Sequence, residues 1–195
     1  LFAGQVRLAY AVRLPADWDA YAVYSSAAGL AEGTQTEIDP GYFSLNPNNI
    51  LITLLLSAYF RLAIFLGVTD LEMAAAILNA TVLFIGIALT YAAARILGGR
   101  TLASFTLLPL AIFVLLSPWL GVVYSDTVGL VFPVLILFLL LAAGRARSMA
   151  IRIPLWILAG AAGAVGYGIK PTVLAVLAAA VLVGLFSLRG PTWKR

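Results

Sequence analysis

The strongest constraint on this chain is where it carries no charge. Residues 73–94, 101–125, 127–144, 153–169 and 171–188 contain no Asp, Glu, Lys or Arg. Each run approaches the roughly 17–25 apolar residues that a helix needs to cross a bilayer core. Helices of soluble proteins keep a polar face at helical spacing, and these runs keep almost none. With 63% hydrophobic and 10% charged residues and a mean hydropathy of +1.06, the composition matches the pattern. The expected fold class is all-α, a polytopic membrane helical bundle.

The charges between the runs give sidedness. Arg95 and Arg100 form one group, Arg145, Arg147 and Arg152 a second, and Arg189, Lys194 and Arg195 a third. Two runs separate each group from the next, so all three lie on one side, the cytoplasmic side by the positive-inside rule. The turns "YSDT" (124–127) and "GIKPT" (168–172) then face outward, and Asp126 with them.

The stretch "NPNNILITLLLSAYFRLAIFLG" (46–67) decides where the first loop lies. If it crosses the membrane, the loop at 14–33 is cytoplasmic; if it lies flat, the loop is external. Arg61 leaves only residues 48–60 uncharged, short for a span. Asn49, Thr53, Ser57 and Arg61 recur every fourth residue and draw one polar stripe, which suits an interfacial helix. A span with a polar seam against other helices is the alternative. With the flat reading, all eight acidic residues are external and eight of the twelve basic residues are internal.

The expected layout is one transmembrane domain over 1–195, the N-terminal fragment of a longer protein. Residues 1–12 end a first span. Residues 13–70 form a large external loop with interfacial helices at about 18–32, closed by Gly33, and about 48–66. Five spans follow within 71–188, at about 71–96, 102–122, 127–144, 152–169 and 171–188. In the fourth, Gly160, Ala164 and Gly168 offer a small-residue seam, and the cluster Asn46, Asn48 and Asn49 is suited to capping a helix. The sequon "NAT" (79–81) lies inside a span and has no glycan to accept.

The chain has no Cys and no His. Disulfides and thiolate metal sites are excluded, and acid–base chemistry falls to carboxylates, lysines or tyrosines. Its net charge of +4 belongs to span ends, so no nucleic-acid partner is implied. "PADWDAY" (15–21) places two carboxylates around Trp18 at a helix start, where Asp is also an ordinary cap. "YSDT" reads equally as a cap beside an interfacial tyrosine. Lys170, an external lysine between two spans, suggests an anionic partner.

The order of "DWD", a Tyr- and Ala-rich helix ending in Gly, "YFSLNPNN", "YSDT" and "IKPT" resembles the GT-C fold glycosyltransferases that use polyprenyl-phosphate sugars, and among them the bacterial protein-mannosyltransferase-like (family 39-like) membrane proteins. Asn46 stands where that family often has the tyrosine of "YPNN". The resemblance spans roughly residues 5 to 175. It implies a multi-pass enzyme of the cell membrane. Such an enzyme moves a sugar from a polyprenyl-phosphate donor to an acceptor hydroxyl of a glycan, polymer or protein on the external face. By this resemblance Asp19 is the candidate base and Asp126 the second acid, which positions the acceptor or shares a metal. Lys170 is the candidate phosphate partner, with Arg61 as second choice. Asp17, Asn48, Asn49 and Tyr124, from the same motifs, complete the candidate substrate-binding set. No cofactor is required by the sequence, and a divalent metal is left open. The rival functions are a transporter or flippase of lipid-linked sugars, which needs polar groups near mid-span, and a non-catalytic membrane subunit.

Overall fold

The computed structural model describes residues 1–13 and 18–189. Its helices are α1 (Phe2–Ala11), α2 (Trp18–Glu32), α3 (Pro40–Leu45), α4 (Asn49–Phe65), α5 (Leu71–Leu110), α6 (Ser125–Gly129), α7 (Val131–Arg145), α8 (Met149–Ile169) and α9 (Leu174–Arg189). No strand occurs among the described residues. Three segments are long and apolar enough to cross a membrane: Leu71–Leu115, Ser125–Arg145 and Met149–Ile169. Their outward surfaces are greasy; Phe105 and Phe113 are each 75% exposed, which only a lipid environment makes favourable.

The first of these segments is two antiparallel arms. At Gly98 the helical backbone breaks, and Gly99 adopts φ +76°, a left-handed value that glycine reaches without a Cβ penalty. Ala93, Ala94 and Ala103, placed nearly symmetrically about that break, are buried. The return is evident further on: Asn79 Nδ2 donates to the Leu120 carbonyl at 3.0 Å, and Ala76, Leu83 and Leu120 share one cluster with Ala9 of α1. The expected spans at 71–96 and 102–122 thus correspond to the two arms, but the second is shorter. Pro109 withholds an N–H from the helix, which widens into a π turn at Ala111–Leu115 and ends. Gln5, buried in α1, donates its amide to the Leu115 carbonyl at 2.6 Å.

α1 runs antiparallel to the first arm, with Phe2 edge-on to Phe84 at 5.5 Å and Tyr10 bonded to Asp70. α7 and α8 form the next hairpin. Arg145 donates to the Ile96 carbonyl at 3.0 Å, so the ends carrying Arg95, Arg100 and Arg145 coincide as the sequence parity requires. We call this the arginine end, and the opposite one the acidic end.

α4 lies across the acidic end. Its partners in the core are Val23 and Ala27 of α2, Leu71, Ala74 and Ala75 from the start of α5, Val123, and Ile169 at the last turn of α8. All the span residues in that set are near span ends, so α4 crosses their tops and does not run alongside them. Phe60 is fully buried there, edge-on to Tyr24, a ring geometry worth about 0.5–1.5 kcal/mol beyond area burial.

The polar stripe of α4 is turned differently from the expectation. Asn49, Thr53 and Ser57 are buried, on the same side as the residues that meet α2, while Leu54, Leu55, Leu62 and Phe65 are exposed. Small polar residues allow close helix approach, and the Thr53 hydroxyl stays satisfied by donating to the Asn49 carbonyl at 2.7 Å. Only Arg61 of the four is exposed. The small-residue seam of α8 also moves. Around Gly160 there is open space, whereas Gly163 lies against Leu177 of α9, Gly166 against Phe132 of α7 and Gly168 against Leu51 of α4.

Candidate functional site

Side chains from five separate segments converge at the acidic end. Asp19 lies in the first turn of α2, following Trp18, whose φ of +53° is unusual for a side chain of that size and which is 86% exposed. The Tyr124 hydroxyl donates to Asp19 Oδ2 at 3.2 Å, and Tyr42 lies near enough for the Asp19 carboxylate to raise its pKa. Asn49 holds both phenols: its Nδ2 donates to the Tyr42 oxygen at 2.7 Å and to the Tyr124 oxygen at 3.3 Å. Its own oxygen accepts from Asn48 at 3.1 Å. With only 1% of its surface exposed, Asn49 is a buried hub under an exposed carboxylate.

Each part is positioned by local chemistry. Pro40 starts α3, capped by the Asp39 carboxylate accepting from the Gly41 N–H at 2.8 Å. The turn at Asn46–Asn48 then folds Tyr42 back over the first turn of α4. Burial, followed by the neighbouring Asp19 carboxylate, pushes the Tyr42 phenol well above its ordinary pKa, so it stays protonated at neutral pH. The expected capping of α4 by asparagine side chains is not made: Asn48 precedes the helix without a side-chain cap bond, and Asn46 reaches back to the Tyr42 carbonyl.

Beside this group, Lys170 Nζ pairs with Asp126 at 2.8 Å and stands 5.9 Å from the Tyr124 ring centroid. Lys170 caps the C-terminus of α8 and Asp126 lies in the first turn of α6, each charge suiting its helix end. A Cβ at Gly129 would meet the Lys170 Cβ at 3.0 Å, so the glycine in "SDTVG" lets the two turns approach. The anionic partner expected of Lys170 is within the chain, and it is the other candidate acid.

Asp19, Asn48, Asn49, Tyr124, Asp126 and Lys170 are therefore neighbours. Arg61 is not among them: it donates to the Leu30 carbonyl at 2.9 Å, twelve residues along α4 from Asn49 and so roughly 18 Å away. Asp17 lies outside the described residues. No trio of carboxylates able to hold a metal occurs among the described residues. Tyr42 is the residue that sequence reasoning missed. Its signal was faint, a tyrosine seven positions before Asn49 across a proline turn.

Fold and surface define the class: an all-α integral membrane protein whose helical bundle carries a polar network at one end. The chain belongs to a family described as conserved hypothetical integral membrane protein, whose model matches residues 1–194. No curated protein and no solved structure matches it.

Proposed function

We propose that the protein is a membrane glycosyltransferase of the GT-C type, acting at the acidic end, on the external face of the cell membrane. Its donor is a polyprenyl-phosphate sugar and its acceptor a hydroxyl of a glycan, polymer or protein. The observation that carries this reading is the convergence of Asp19, Tyr42, Asn49, Tyr124, Asp126 and Lys170 from distant parts of the sequence.

The chemistry asks for three things. An acceptor hydroxyl must lose a proton to a base within hydrogen-bond reach, and the exposed Asp19 is that base. The Tyr124 phenol donates to its carboxylate and fixes its orientation, as partners of a catalytic group do, and Tyr42 stands beside it. The anomeric carbon passes through an oxocarbenium-like state, which nearby carboxylates stabilise. The departing phosphate needs a cation. Lys170 has three N–H donors and gives one to Asp126, leaving two for phosphate oxygens. In this arrangement Asp126 holds Lys170 in place and is not a second base, a narrower role than the sequence suggested.

The test uses the full chain in membranes loaded with a polyprenyl-phosphate-linked hexose. It follows release of polyprenyl phosphate, a product common to every acceptor. Asp19→Asn keeps the shape and removes the base; release should fall about 100-fold or more while insertion and melting temperature hold. Unchanged release in a folded Asp19→Asn protein would sink the proposal.

A further inference from the structure

α4 distributes its side chains in an unusual way for a helix at the end of a bundle. Asn49, Thr53 and Ser57 are buried, together with Ile52, Leu56 and Phe60, which share a core with Val23 and Ala27 of α2. On the other side, Leu51, Leu54, Leu55, Ala58, Leu62 and Phe65 fall within an arc of roughly 100°. Beyond Leu51 that arc is exposed, Phe65 to 85%. A helix facing water would carry polar and charged groups there. Arg61, the one charge on α4, stands at the border of the arc and turns to the Leu30 carbonyl of α2.

Two contacts fix the level of the helix. Leu51, the first member of the arc, lies against Gly168, the next to last residue of α8. Eight residues on, roughly 12 Å along α4, the Tyr59 hydroxyl donates to the Ala74 carbonyl at 2.9 Å, in the first turn of α5. α8 has 21 residues and is roughly 31 Å long, which matches the about 30 Å of a bilayer's hydrocarbon core. Its last turn, and α4 with it, stands at the edge of that core. Leu51 points at the span, so the rest of its arc points the same way, past the flank of α8. Val165 and Tyr167 are exposed on that flank, and the apolar surface runs on from the span to α4.

We infer that the apolar arc of α4 is seated in the acyl chains of the leaflet at the acidic end. An interfacial helix commonly turns its polar face to water; here α2 takes the place of water against the polar stripe. α4 thereby holds α2, with Asp19 in its first turn, at the lipid surface. The inference concerns the bilayer alone and is independent of glycosyl transfer.

The chain has no cysteine, so a single introduced thiol carries a nitroxide label at a known place. Leu54→Cys, Leu62→Cys and Phe65→Cys are labelled in turn, in the full chain in liposomes. Power saturation is read with oxygen, which concentrates in lipid, and with a nickel chelate, which stays in water. Phe105→Cys is the lipid reference, and Glu37→Cys, exposed ahead of α3, is the water reference. Oxygen accessibility within about twofold of Phe105→Cys is expected, with nickel accessibility at least about threefold below Glu37→Cys. Nickel accessibility equal to that of Glu37→Cys would put the arc in water. Low accessibility to both reagents would put it under protein, a second copy or another chain. Either result overturns the inference. Ala58→Cys, on the same arc, replaces any labelled variant that does not insert.

Discussion

The two ends of the bundle are built from opposite charges and by different means. At the arginine end, Arg145 and Arg152 donate to the backbone carbonyls of Ile96 and Ala146, the ordinary service of a cation near a helix C-terminus. At the acidic end, side chains bind side chains across long stretches of sequence: Tyr124 to Asp19, Asn49 to Tyr42 and Tyr124, Lys170 to Asp126, Arg13 to Glu72. Both ion pairs found among the described residues are here. One end finishes helices, and the other fixes a particular arrangement of functional groups. That asymmetry is what separates a site from a membrane boundary.

Substitutions at the two ends should differ accordingly. The largest effect is expected at the hub. Asn49→Leu removes the donor shared by two phenols and the acceptor for Asn48, and should destabilise the protein by about 1–3 kcal/mol in detergent melts. Polyprenyl phosphate release should drop with it even below the melting range, because Asp19 loses its alignment. Full release in a folded variant would reduce the hub to a packing detail.

Asp70 comes next. It caps α5 by accepting from the Met73 N–H at 3.0 Å and takes the Tyr10 hydroxyl at 2.7 Å. Asp70→Ala should cost about 1 kcal/mol at neutral pH. The Tyr10 bond, then the Met73 N–H, hold the Asp70 carboxyl below the usual range. A depressed folded-state pKa gives stability that is present above the unfolded value, about 3.9. It is lost as pH falls through the lower folded value. The gap between wild type and Asp70→Ala in melting temperature should therefore close on acidification below about pH 4, and a gap that widened there would contradict this cap.

The smallest effect is expected at the other end. Arg145→Gln should shift stability by less than about 0.5 kcal/mol and leave release unaltered. A loss of activity as large as that of Asn49→Leu would erase the distinction between the ends.

Much of the architecture was legible because charge and apolarity are one-dimensional signals. Arg95, Arg100 and Arg145 mark the same end in both sequence and structure, and Gly33, at φ +76°, closes α2 where expected. The helix at 49–65 was legible as short and apolar. What was illegible depends on rotation and on partners. The four-residue recurrence of Asn49, Thr53, Ser57 and Arg61 fixes a stripe, but whether it meets solvent or protein depends on what packs against α4, such as Val23 and Ala27 of α2. Tyr42 enters the site through a turn conformation that carries no periodicity. Asn79 looked like a stray polar residue inside a span, and only the returning second arm shows what it faces. That Lys170 would find Asp126 needed the proximity of two loops 44 residues apart.

The break at Gly98 and Gly99 joins two helices of unequal reach. The ascending one climbs from Leu71, and the descending one stops at Leu115, well short of the level where its neighbour began. The shortfall is made up by the stretch from Leu116 to Tyr124, which holds a short 3-10 helix at Pro118–Gly121 and whose last part, Leu120–Val123, skirts the gap without filling it. A vacancy beside Asn79 and a tyrosine beside Asp19 are thus two products of one mismatch in length. Inserting a single helical turn ahead of Leu115 would displace both together.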